Sequence, residues 1–312
     1  MNVFSVKSPG AYTTVQDAGR VGYQKMGVPV SGSLDHYSYR AANMMIGNPP
    51  GAAALEITIT GPILDILSEA DMVLTGADMK MTLNGDIIPT WKTFHVKPGD
   101  ELAIHQIRKG CRAYLAVTGG IDVPLVMGSR STYPGGGIGG FHGRPLKAGD
   151  MLSMCGGPFI DKCIEIPEHL KPVFDLKVKL RVIPGPQDDY FDQGMDTLLN
   201  SEYMVTPKAD RMGYRLMGPK IHIKEGFPKS IISEPSMPGG IQIPADEQPI
   251  VLFVEQTVGG YCKIATVIST DLPKLAQATP GDAVIFERTD LSEAQKAYKK
   301  LEERLAEIAR LA

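Results

Sequence analysis

Three short polar clusters carry side chains able to do chemistry. The first, Gln16-Asp17-Ala18-Gly19-Arg20, sets a carboxamide, a carboxylate and a guanidinium together. Shortly after it, Asp35, Arg40 and Asn43 follow in a segment that begins at Ser33. The third is in three pieces: Asp210-Arg211-Met212-Gly213-Tyr214-Arg215-Leu216, then Pro238-Gly239-Gly240-Ile241-Gln242, then Glu255-Gln256-Thr257-Val258-Gly259-Gly260-Tyr261. Arginine recognises carboxylate or phosphate through two parallel N–H donors, and amides and hydroxyls beside Gly-Gly pairs suit carbonyl substrates held against backbone. Arg20, Arg40 and Arg211 are therefore expected as anion contacts. Gln16, Asn43, Gln242 and Gln256, with Tyr214, Thr257 and Tyr261, are expected to contact substrate. Asp17, Asp35 and Glu255 are the candidate acid–base groups. Each also has an ordinary reading as a satisfied turn or a salt bridge.

Other motifs exclude more than they offer. Gly135 to Gly140 spells G-x-G-x-x-G, but Phe141-His142-Gly143-Arg144-Pro145 follows where a dinucleotide-binding helix would start. What remains is either a mobile loop beside a pocket, its N–H groups and Arg144 facing an anion, or a flexible loop with no ligand. Met79-Lys80-Met81 has the look of a biotin-carrying lysine, yet it sits between the turn signals Gly76-Ala77-Asp78 and Asn84-Gly85, so no covalent biotin is expected. Phosphate-loop, zincin and esterase signatures are absent, and the six histidines have no ligand spacing, so no metal site is expected. Four cysteines without C-x-x-C pairs read as buried free thiols.

The elements that must position these residues are mostly strands. The 34 glycines and 24 prolines cut the chain into short apolar runs, with strand candidates at 72–75, 79–83, 101–105, 114–118, 177–183, 250–255 and 283–287. Three of these or similar runs follow one turn pattern: Lys97-Pro98-Gly99-Asp100, Lys147-Ala148-Gly149-Asp150 and Thr279-Pro280-Gly281-Asp282. Gly61-Pro62 is echoed by Gly218-Pro219, which suggests two related β-domains. Two helices are expected. One spans 33–46, capped by Ser31 or Ser33, with a polar stripe of His36, Arg40 and Asn43. The other spans 291–312, with a capping box of Asp290 and Glu293 and an apolar seam for burial, on its own domain rather than on a partner helix.

At 312 residues the chain exceeds one ordinary core, and a boundary fits near 158–178. The predicted organisation is a mainly β fold with domains at 1–165 and 175–290 and a C-terminal helix at 291–312. A net charge of −3 with 21% charged residues gives no footprint for nucleic acid. The N-terminus lacks a signal-like apolar segment, and no long uncharged apolar run occurs, so a cytoplasmic protein without membrane contact is expected.

Ser8-Pro9-Gly10, Thr13-Thr14-Val15-Gln16-Asp17, Gly19-Arg20, Gly27-Val28-Pro29, Ser31-Gly32, Asp35, Arg40, Asn43 and Gly47-Asn48, with the later Arg211, Pro238 and Gln256 segments in the same order, resemble the allophanate hydrolase subunit 2 family, also called the biotin-dependent carboxyltransferase family. The resemblance implies two cyclophilin-like β-barrel domains. It also implies one component of an ATP-dependent 5-oxoprolinase, which opens 5-oxo-L-proline to L-glutamate with a homologous subunit 1-type (B-type) partner and a further A-type partner. ATP with Mg would serve the complex without necessarily binding this chain. Two alternatives stay open: a carboxyltransferase component of a urea or allophanate system, and a regulatory module that binds a kinase inhibitor. Glu255 stands where the resemblance leads one to expect Asp, which leaves the role of that carboxylate open.

Overall fold

The structure, a computed structural model, describes residues 2–175 and 177–312. The chain folds into two compact units. The first comprises Met1–Arg20, Ser31–Phe174 and Glu302–Ala312; the second comprises Val21–Val30 and Asp175–Leu301. A contiguous partition at 165/175 and 290/291 assigns both Val21–Val30 and the end of the last helix to other blocks.

The first unit is a ten-stranded sheet running Tyr12–Gln16, Ala54–Thr58, Glu101–Val117, Ile63–Ile66, Asn2–Ser8, Met151–Met154 and Ile121–Asp122. Off this path, Ala70–Leu83 pairs with Glu101–Val117 and with the short strands Asp86–Ile88 and Phe94–Val96. Runs expected as separate strands are single long ones. Residues 72–83 stay in one strand because the backbone absorbs Gly76 (φ 88°) through register shifts between 76 and 81 rather than turning. Residues 101–117 likewise continue through 106–110. Lys80 is an exposed residue within this strand, whose end pairs with Asp86–Ile88 across the turn at Asn84-Gly85, as expected for a lysine on a hairpin strand. The core between the curled faces includes Phe4, Leu55, Leu64, Met72, Leu102 and Leu115.

The second unit is a closed seven-stranded barrel: Lys177–Pro184, Cys262–Val267, Gly240–Ile243, Ile250–Leu252, Gly213–Met217, Glu202–Val205 and Ala283–Arg288, the last pairing in parallel with the first. The strand expected at 250–255 ends at Leu252, because Phe253 N instead bonds Met212 O and Glu255 N bonds Arg211 O. A two-stranded ribbon, Glu234–Pro235 with Val258–Gly259, is separate from the barrel sheet. The mainly β class with two barrel-like units, few helices and a C-terminal helix is thus the class read from the sequence.

The three Gly-Asp turns are built alike. In each, the aspartate N–H bonds the carbonyl three residues back (3.1, 3.2 and 3.0 Å at Asp100, Asp150 and Asp282). Its carboxylate also accepts the N–H of that same residue (2.7, 2.7 and 2.6 Å), and the glycines take φ 95°, 87° and 99°. Each turn then docks on a neighbouring strand by the same reciprocal pair of backbone bonds: Gly99 and Asp100 with Ile66, Gly149 and Asp150 with Val6, Gly281 and Asp282 with Val205. Glycine is required because the left-handed conformation at this position penalises any Cβ.

The first long helix is His36–Met45, and its cap is Asp35, not Ser31 or Ser33. Ser31 lies in a left-handed conformation (φ 56°) outside the helix path, while the Asp35 carboxylate accepts both the N–H (3.0 Å) and the hydroxyl (2.7 Å) of Ser38. The last helix is Leu291–Leu311, opened by Glu293 N donating to Asp290 (2.9 Å). Only the end of its seam is buried, at Leu301, Leu305 and Ile308; Leu291 and Tyr298 are exposed. Its final turns belong to the first unit, where Arg304 lies over the Tyr37 ring (4.8 Å) and Glu307 pairs with His169 (2.9 Å). Of the four free cysteines, Cys111 and Cys262 are buried as expected, but Cys155 and Cys163 are exposed.

Candidate functional site

In the first unit, Asp17 is an acceptor hub. Its Oδ1 accepts from Gly19 N (2.8 Å), Ser129 Oγ (2.7 Å) and Ser131 Oγ (2.6 Å), and its Oδ2 accepts from Arg130 N (2.5 Å). Four donors, three at Oδ1 and one at Oδ2, fix the carboxylate in place within the fold. Arg20, fully buried, donates through Nε to Val126 O (3.0 Å) and through Nη2 to Ser131 O (2.7 Å). Burial lowers its pKa, and Asp17 opposes that shift. Gln16, also fully buried, donates to Thr14 Oγ1 and Thr132 O. These three residues join the strand Tyr12–Gln16 to the segment 126–132.

Asp35, Arg40 and Asn43 are likewise engaged within this unit. Asp35 caps its helix, and its own N–H donates to Tyr114 Oη (2.8 Å). Tyr114 in turn donates to the buried Glu56 (2.8 Å), and burial raises its pKa well above the ordinary value. Arg40 forms a two-bond pair with Glu302 of the last helix (2.6 and 2.8 Å). Asn43 donates to Ala52 O (2.8 Å) and accepts from Asn48 (3.0 Å), pinning the loop after the helix. Beside Arg40, burial lowers the pKa of His36, Asp35 opposing the shift and Arg40 adding to it.

The glycine-rich loop is internally bonded over much of its length. Its N–H groups are largely used within the fold: Ile138 N to Tyr133 O (3.1 Å), Gly140 N to Arg130 O (3.1 Å) and Gly143 N to Gly139 O (2.8 Å). A Cβ at Gly139 would lie 2.2 Å from Ser131 O and 2.4 Å from Arg20 Nη2, and one at Gly140 would lie 1.9 Å from Thr132 Oγ1. The glycines therefore serve close packing on Arg20 and Thr132. Arg144 adds no free charge, because it is paired with Asp150 (2.7 and 2.9 Å). The outer side of this loop borders a cleft of about 470 Å³, apolar at Val123, Val126, Phe141 and Met151 and polar at Asp122, His142 and Ser153.

In the second unit, Arg211 Nε donates to Glu255 (2.6 Å), with both side chains largely buried. Tyr214 is a barrel-core residue against Phe253 (5.1 Å between ring centres), its hydroxyl reaching Ala276 O and Ala278 O at the limit of hydrogen bonding. Gln256 donates to Val258 O (2.7 Å), Thr257 O accepts from Ser236 N (2.9 Å), and Tyr261 is exposed. These residues shape the ribbon. Gln242 is buried beside it. Sequence reasoning missed Ser236, Glu234 and Lys263. A lysine inside the apolar run Cys262-Lys263-Ile264-Ala265 was the available signal, since lysine is almost never fully buried without a partner.

Among the described residues, no group of three or more His, Cys, Asp or Glu could hold a metal ion. No helix among them is long and apolar enough to cross a membrane.

The sequence model described as "Carboxyltransferase domain, subdomain A and B" matches residues 26–288. The chain belongs to this carboxyltransferase-domain family. It is 37% identical over 304 residues to the C-type subunit of the 5-oxoprolinase of Escherichia coli, covering 96% of each chain. It is 38% identical over 305 residues to urea amidolyase of Lachancea kluyveri, covering 91% of this chain but 17% of that enzyme. The crystal structure of Kluyveromyces lactis urea carboxylase contains the same carboxyltransferase-domain fold, with a TM-score of 0.92 at 33% identity over 98% of this chain and 29% of that one.

Proposed function

We propose that this chain is the C-type subunit of an ATP-dependent 5-oxoprolinase, a complex that opens 5-oxo-L-proline to L-glutamate. The observation that carries the reading is the near end-to-end correspondence with the C-type subunit of Escherichia coli, matched by 32% identity to that of Haemophilus influenzae over 100% of this chain and 98% of that one. The urea amidolyases, by contrast, are matched over about a sixth of their length.

In this reading the chain works with a homologous subunit 1-type (B-type) protein and an A-type protein. ATP, with its Mg, would activate the lactam carbonyl in the complex, without necessarily being bound by this chain. What this chain supplies is binding and orientation by the second unit. Gln242, Gln256, Thr257 and Tyr261 line or shape the ribbon, and Glu255 is its acid–base candidate, held by Arg211. A carboxyltransferase role in a urea-type system is the second reading, favoured by the fold match to urea carboxylase.

The test is reconstitution with the B-type and A-type proteins, measuring ADP released with 5-oxo-L-proline and, in parallel, with urea. ADP release dependent on 5-oxo-L-proline and on this chain is the expected result. A complex that assembles but shows no such dependence overturns the reading.

A further inference from the structure

The cleft beside the glycine-rich loop of the first unit is left open by the fold and held open from behind. The strand Ile121–Asp122 pairs only with Ser153 and Met154, and Pro124, having no N–H, cannot extend that ladder towards Met151. Pairing ends there, and the loop 137–143 supplies the remaining wall of a space of about 470 Å³. That wall is backbone that cannot retreat. Gly139 and Gly140 lie against Arg20 and Thr132, and Gly143 N bonds Gly139 O (2.8 Å). A wall fixed in advance lowers the ordering cost of binding.

Two rings line the cleft. Phe141 and His142 meet edge to face, with 4.4 Å between ring centres. His142 holds a left-handed conformation (φ 55°), as do Gly137, Gly139, Gly140 and Gly143 around it. Glycine is the less strained residue at such a position, so the fold alone does not call for an imidazole there. Beside the rings stand incompletely buried apolar side chains. Met151, in the lining, is 49% exposed, and Leu125 and Met127, on either side of the lining residue Val126 in the chain, are 60% and 39% exposed. A rimmed apolar cluster of this kind marks a contact surface.

Charge narrows the ligand. Asp122 is the one carboxylate in the lining, and among the described residues that line the cleft there is no lysine or arginine. Its side chain is half exposed and meets Arg130 through a single contact at 3.4 Å, while Arg130 Nε is committed to Val123 O (2.9 Å). A flat aromatic body covers the two rings and the Met151 thioether, and a protonated amine beside it meets Asp122. A carboxylate in the same place meets like charge.

We propose that this cleft is a binding site for an aromatic amine, its ring against Phe141, His142 and Met151 and its ammonium group towards Asp122. The site lies within the first unit and uses none of the second-unit residues assigned to the 5-oxoprolinase reading, so it stands whichever complex the chain serves.

The experiment is titration of the full chain, labelled with ¹³C at its methionine methyl groups, with tryptamine and with indole-3-acetate, two ligands that share a ring and differ in charge. The methyl signal of Met151 is assigned by its loss in M151L, and that of Met204, on a strand of the second unit, by its loss in M204L. The expected result is a saturable ring-current shift of Met151 with tryptamine at a Kd on the order of 1 mM, with Met204 unmoved. Indole-3-acetate should bind about fivefold more weakly, and D122N should bring the two ligands to within about twofold. H142N, which suits the left-handed backbone but removes the ring, should weaken both ligands about threefold at an unchanged melting temperature. No saturable shift at Met151, or an equal shift at Met204, overturns the site. Equal affinity for the two ligands in the wild-type chain overturns the assignment to amines, and so does a preference that survives D122N. The wild-type comparison decides even if a variant fails to fold.

Discussion

Asp17→Asn tests whether the most active-looking carboxylate in the sequence is a structural hub. The asparagine keeps the shape and one oxygen. Placed at Oδ1, that oxygen still accepts from Gly19 N, Ser129 Oγ and Ser131 Oγ, but each bond loses its charge assistance. The amide nitrogen then stands at Oδ2, where Arg130 N donates at 2.5 Å, so two donors face each other. Three weakened bonds at about 0.5–1 kcal/mol each and one opposed donor pair at about 1–3 kcal/mol give a loss of about 2.5–6 kcal/mol. Arg20, buried nearby and stabilised in its charged form by Asp17, adds to the cost. For a unit of this size such a loss lowers Tm by about 10 °C. The assay is thermal and urea denaturation of the isolated chain, with S129A and S131A as milder steps that should each fall between wild type and D17N. If D17N melts within about 2 °C of wild type while the reconstituted complex loses substrate-dependent turnover, the hub reasoning is refuted and Asp17 acts on substrate.

Two further outcomes follow from paired charges. In a double-mutant cycle of R40A and E302A, read by urea midpoint, the two-bond but partly exposed pair should show a coupling of about 0.5–1 kcal/mol, and hydrogen exchange in the last helical turns should quicken in either single variant; zero coupling means that the pair does not hold the helix end. Asp271 is desolvated by burial, which raises its pKa, but bonds from Arg181 and the ammonium of Lys274 outweigh this and leave it below the usual carboxylate range. Its folded pKa is depressed, so its stabilisation is fully present above the unfolded pKa of about 4 and is lost as pH falls through the lower folded value. Urea midpoints from about pH 6 down to about pH 2 should therefore fall less steeply for D271N than for wild type; parallel curves contradict the assignment.

What the sequence revealed depended on how local each constraint is. The Gly-Asp turns were legible because the glycine, the closing aspartate and the reversed backbone all lie within four residues. The last helix was legible from its capping box and periodicity. The joins within 70–83 and 101–117 were not, because Gly76 has the composition of a turn while its long partner strand holds it in a bulge. The Asp35 cap was missed in favour of two nearby serines, since only the three-dimensional path shows that Ser31 is outside the helix. Long-range partners were invisible in principle. Nothing near Arg40 announces Glu302, 262 positions away, and nothing near Arg20 announces Val126 or Ser131.

The same distinction separates two kinds of polar residue that look identical in a sequence. Gln16, Asp17, Arg20, Asp35 and Asn43 are conspicuous because they are dense, and most of their hydrogen bonds go to groups of the first unit, with Gln16 Oε1 and Arg20 Nη1 left without a partner. Such residues are demanded by the fold, since buried loops must satisfy their own N–H and carbonyl groups. Ser236 and Gln242 are sparse and unremarkable in sequence, but they are buried with donors facing nothing in the fold. Recognition chemistry needs capacity that the fold has left unspent, and such atoms occur in both units: Gln16 Oε1 and Arg20 Nη1 in the first, Ser236 Oγ and Gln242 Nε2 in the second.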